Sequence, residues 1–141
     1  MAIIPLVIWF AFLADLIVAI HFGYVAFVVF GLLIVLLGGL LRWRFVRNFL
    51  FRMVHLVMIL IVVVESLLEI PCPLTVWEYD LRVAAQQDVS EGSFVARLIH
   101  QVMFFNFPPE VFLIGYCLFG LTVLMSWWLI PPVLPWKREK K

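Results

Sequence analysis

Glu65 stands in the run ILIVVVESLLEIP, and Glu69 follows one helical turn later, on the same face. A carboxylate in so apolar a run is costly, which makes it a functional hypothesis in its own right. Two carboxylates this close also repel each other unless a cation or a proton stands between them. Three uses follow. The pair binds a proton or a metal, it pairs with Arg82 or Arg97 to fix helix packing, or it contacts another copy of the chain.

Helical rise of about 1.5 Å per residue sets depths. Glu65 and Glu69 fall roughly 20 and 26 Å beyond Arg52, and His21 falls roughly 30 Å back from Leu41. With Cys72 and His100, these side chains are candidates for one polar cluster at the same membrane face. His and carboxylate ligands suit zinc, iron or copper, yet no compact H-x-x-x-H or E-x-x-H spacing occurs, and any metal or haem stays unspecified. His55, three residues after Arg52, is expected at the opposite boundary beside lipid headgroups. Ala11, Asp15, Ala19 and Gly23 recur every four residues, with Ala26 continuing at helical spacing. Small residues on one face admit a close helix neighbour, so this stripe is expected to pack on another span or on a foreign subunit. No Gly-rich phosphate loop, G-x-S-x-G, H-E-x-x-H or C-x-x-C is present, which leans against an enzyme.

The elements that must carry these groups follow from composition. The 141 residues are 66% hydrophobic and 13% charged, with a net charge of +1 and a mean hydropathy of +1.15. Soluble domains average about 45–50% apolar and about 25% charged, so a soluble enzyme, a disordered regulator and a nucleic-acid binder are all excluded. One all-α integral membrane domain over residues 1–141 remains. A hydrocarbon core of about 30 Å takes about 20 helical residues, and three stretches suffice: about 3–41, 49–70 and 109–130. The first is nearly twice the needed length. One long tilted helix is expected there, with a break near Gly23 as the alternative. The opening run lacks a basic n-region and contains Asp15, so it is expected to stay as a span.

Arg42, Arg44, Arg47 and Arg52 crowd the first connection, and Lys137, Arg138, Lys140 and Lys141 crowd the tail. The positive-inside rule then puts both in the cytoplasm, with the N-terminus and residues 71–108 outside. Thr75-Val76-Trp77-Glu78 fits a capping box, predicting an outer helix from about Val76 to Gln87. Ser93 is placed to cap a second helix through Phe104. The two together form a lid. Trp43, Trp127, Trp128 and Trp136 are expected as interfacial anchors. Cys72 and Cys117 do not make a disulfide framework.

ADLIVAIHF (Ala14 to Phe22), CPLTVWEYDLR (Cys72 to Arg82) and GSFVARLIH (Gly92 to His100), with the Glu65 region between them, resemble an uncharacterised family of small bacterial integral membrane proteins. The order and spacing of CPLT, E, LR, G-F and a later H carry the likeness. The resemblance implies an inner-membrane protein and adds Glu78 and Arg82 to the candidate cluster of His21, Glu65, Glu69, Cys72 and His100. It implies no activity. The expected function is a non-catalytic accessory or stabilising subunit of a larger membrane complex, in contact with lipid and other subunits but not nucleic acid. The alternatives are a redox or metal/cofactor-binding protein on the outer cluster, and lipid or quinone handling under the lid.

Overall fold

The computed structural model describes residues 3–88 and 108–133. Among the described residues there are four helices, α1 (Ile3–Leu40), α2 (Phe49–Leu67), α3 (Pro73–Ala84) and α4 (Pro109–Leu129), with a 3-10 turn at Phe45–Arg47. No strand occurs among the described residues; one isolated parallel bridge joins Asn48 to Val133. Among the described residues three helices, α1, α2 and α4, are long and apolar enough to cross a membrane.

The ends of these helices have local causes. α1 has no proline after Pro5 and runs unbroken through Gly23, so the alternative break there does not occur. It ends with Arg42 in the left-handed region (φ 57). Arg42 N–H donates to the Gly39 carbonyl at 3.2 Å and Trp43 N–H to that of Gly38 at 2.7 Å, the bond pair of a Schellman cap. α2 opens on Asn48, whose side chain accepts from Leu50 N–H at 3.0 Å, the role that favours Asn at an N-cap. It closes at Leu67, and Glu69 follows in the left-handed region (φ 56). The expected placement of Glu69 on the α2 face is therefore corrected: it lies beyond the helix, where the chain turns.

α3 also departs from the expected register. Cys72 is its N-cap and Pro73 its first helical residue, a position proline suits because its missing N–H is needed by no partner there. Thr75 is thus inside the helix, its hydroxyl buried without a hydrogen-bond partner among the described residues. The T-x-x-E box does not form. α3 ends on a second Schellman cap around left-handed Gln86 (φ 55), with Gln86 N–H on the Val83 carbonyl and Gln87 N–H on that of Arg82, both at 3.0 Å. The proposed second lid helix and His100 lie outside the described residues.

The chain divides into two compact units: Met1–Tyr24 with Glu69–Phe112, and Val25–Leu68 with Leu113–Lys141. Along α1 the buried positions Ala14, His21, Val28 and Val35 recur every seven residues, the repeat of a seam that faces other helices. In the first unit, Ala14, His21, Glu78 and Ala85 are buried. In the second, the apolar Val28, Leu32, Val35, Val46, Ile59 and Val123 are buried, and so are the polar Arg52, His55 and Ser126. Close approach shapes that core. A Cβ on Gly120 would come within 3.1 Å of Val63, and one on Gly31 within 2.5 Å of the His55 ring.

Candidate functional site

Among the described residues, each unit holds a polar cluster. In the first, α3 presents Arg82 one turn after Glu78, and Arg82 Nε donates to Glu78 Oε1 at 2.9 Å. Arg82 Nη2 reaches Asp15 Oδ1 on α1 at 3.2 Å, and Nη1 reaches Gln87 Oε1 at 2.9 Å. All three guanidinium nitrogens are engaged. The Glu78 side chain is 5% exposed and that of Asp15 is 71% exposed. The two ion pairs therefore differ in weight. An exposed pair contributes at most about 1 kcal/mol, whereas removing Arg82 would take a charged partner from the buried Glu78 carboxylate, at a larger cost. The cluster works as a clamp from α3 to α1.

Arg82 was a sequence candidate to neutralise Glu65. In the first unit it pairs with Glu78 and Asp15. Of the candidate cluster, His21 is buried on α1, Cys72 is half-buried at the α3 N-cap, and Glu69 is exposed between α2 and α3. Glu65 is half-buried and belongs to the second unit. No three His, Cys, Asp or Glu side chains among the described residues gather closely enough to hold a metal ion. Cys72 and Cys117 are both free of disulfides. The α1 stripe is graded: Ala11 and Ala26 are half-buried, whereas Asp15, Ala19 and Gly23 are exposed. Nothing lies within 4 Å of where a Gly23 Cβ would stand.

The second cluster is the one that sequence reasoning missed. Arg52 is 1% and His55 2% exposed. Arg52 Nη2 donates to Ser126 Oγ on α4 at 3.1 Å, and its guanidinium lies over the Trp127 ring, 5.6 Å from the centroid. Ser126 Oγ in turn donates to the Val123 carbonyl at 2.6 Å. His55 Nε2 bonds the Val28 carbonyl on α1 at 2.7 Å, and its ring stacks on Phe51 and meets Phe27 edge-on. His55 is thus buried against α1 rather than exposed beside headgroups, and it ties α2 to α1. Trp127 turns inward, against Phe49 and Arg52, while Trp128 is 91% exposed. A signal was available. Asn48 as N-cap makes Arg52 the fourth helical residue, already a turn inside the span. Arg52 Nε and Nη1 and Trp127 Nε1 are buried with no hydrogen-bond partner among the described residues. The arrangement offers hydrogen-bond donors and positive charge, and no paired nucleophile and base.

The family described as Protein of Unknown function (DUF2784) matches residues 11–132. The chain belongs to this family. The matched stretch includes Asp15 and Arg82 as well as Arg52, His55 and Ser126, so both clusters fall within the family's domain. No curated protein and no solved structure matches the chain.

Proposed function

We propose that the chain is a small, non-catalytic accessory subunit of a larger complex in the bacterial inner membrane. Its N-terminus and the α2–α4 connection lie outside, and its basic segments face the cytoplasm. The length and exposure of α1 carry this reading. Its 38 residues make about 57 Å of helix. At the average tilt of about 20° it would rise about 54 Å, more than the roughly 40–45 Å of a whole bilayer with its headgroups. α2, with 19 residues, is by contrast just long enough for the hydrocarbon. The surplus of α1 is not polar. Leu6, Ile8, Trp9 and Phe12 are 54–63% exposed, an apolar surface of the kind that marks a protein contact where lipid does not cover it. The exposed Asp15, Ala19 and Gly23 continue along the helix, where small side chains admit a close neighbour.

Size measurement after mild extraction tests this. The tagged chain, extracted in mild detergent and run on a native gel, is expected in a discrete species well above its own 16.4 kDa that contains one other protein in fixed ratio. A lone stable monomer, or a species made only of this chain, would contradict the proposal.

A further inference from the structure

In the second unit, the end of α1, the connection into α2 and the end of α4 enclose an open groove of about 310 Å³. Its walls include Arg42, Trp43 and Arg47 on one side and Leu129, Ile130 and Pro131 on the other. Two lining residues are arginines, and none among the described ones is acidic. Arg47 is fixed in place: its Nε donates to the Pro131 carbonyl at 3.0 Å, and its own carbonyl accepts from Val133 N–H at 2.7 Å. That side-chain bond uses one of the five donors in the guanidinium fork. Arg42 is held in the left-handed conformation (φ 57) that helix ends usually give to glycine. A glycine there would remove the strain and also the guanidinium. Beside the groove the surface is apolar, with Leu40 81%, Leu41 59% and Leu129 73% exposed.

We propose that this groove binds an anionic phospholipid, the headgroup phosphate lying between Arg42 and Arg47 and the acyl chains running along Leu129 and Ile130. Guanidinium matches phosphate in charge and in fork geometry. The volume sits at the low end of small-molecule pockets, about 300–1,000 Å³, which suits a headgroup and glycerol rather than a whole lipid. Basic pockets between spans on the cytoplasmic side are recurrent sites for anionic headgroups, and the orientation proposed above puts this end there. The competing role for both arginines is to offset the negative ends of α1 and α4. That role predicts lost stability on neutralisation, with no lipid preference.

Native mass spectrometry of the full chain tests the site, using micelles that contain equal phosphatidylglycerol and phosphatidylcholine. The wild type is expected to retain one phosphatidylglycerol per chain in preference to phosphatidylcholine. Arg42→Gln and Arg47→Gln should each reduce that preference about fivefold, and together on the order of 30-fold. Arg44→Gln removes the same charge outside the groove and should leave the preference within about twofold, since no groove contact is lost. Arg42→Gly is the decisive variant: it keeps the left-handed turn at no cost, so it should unfold at the same or a higher temperature yet lose the preference as Arg42→Gln does. Equal retention of both lipids by the wild type would overturn the proposal, as would an equal loss in Arg44→Gln or an unchanged preference in Arg42→Gly. Excess inorganic phosphate should not displace the lipid; displacement would assign the groove to a free anion instead.

Discussion

Gly31 and His55 show how little room the second unit leaves. The His55 ring occupies the space where a side chain at position 31 would begin, 2.5 Å from an ideal Cβ, and from there it bonds the Val28 carbonyl at 2.7 Å. Gly31→Ala should therefore push the ring out of register and break that bond. Alanine regains about 1 kcal/mol of helix propensity. Against that stand overpacking of about 1–3 kcal/mol and a buried polar group left unpaired at about 1–3 kcal/mol. A net destabilisation of about 1–5 kcal/mol follows, read as a lower unfolding temperature in detergent, and the double variant Gly31→Ala/His55→Ala should recover part of it. An unfolding temperature equal to or above the wild type in Gly31→Ala would contradict the packing described. The sequence put His55 at the lipid interface because depth was counted from Arg52 as a boundary. That count has no access to the facing helix. Only the fold reveals that a glycine clears space for an imidazole, or that Ser126 accepts from a guanidinium that water would otherwise solvate.

Helix identity was legible where composition decides it, and helix register was not. The three apolar elements were expected over 3–41, 49–70 and 109–130 and occur at Ile3–Leu40, Phe49–Leu67 and Pro109–Leu129. α3 was expected from Val76 on the strength of Thr75 and Glu78. It starts at Pro73, a residue suited to the first helical position, with Cys72 as N-cap, so Thr75 falls inside the first turn. The shift has a consequence for the candidate site. Glu78 is freed from capping duty and becomes the buried partner of Arg82, so a motif read as a helix start works as a helix-to-helix clamp. The α3 end gives a test. Gln86 holds a positive φ of 55 with an exposed side chain, so Gln86→Gly should relieve about 1 kcal/mol of strain. A small rise in unfolding temperature is expected; a fall would mean that the Gln86 side chain matters more than its backbone.

At the scale of the whole molecule, scarcity of charge governs the account. With 66% hydrophobic residues a bilayer is the only solvent the chain fits, and each of the few polar groups inside it needs a partner. Arg82 serves two carboxylates, and Arg52 has Ser126 and the Trp127 ring. Asp15 illustrates what no linear count could supply. The four-residue spacing marked it as part of a packing stripe, and it does share an exposed line with Ala19 and Gly23, yet it also pairs with a residue 67 positions away. The exposed line and the over-long, apolar α1 together support the reading of an accessory subunit. A photo-crosslinking amino acid placed singly along α1 in native membranes tests it most directly. Positions Phe12, Ala19 and Gly23 should each form an adduct of one discrete mass with the same foreign protein, while Leu118 on the exposed side of α4 should give lipid adducts only. Lipid adducts alone from all three α1 positions, or adducts only to a second copy of the chain, would contradict the account.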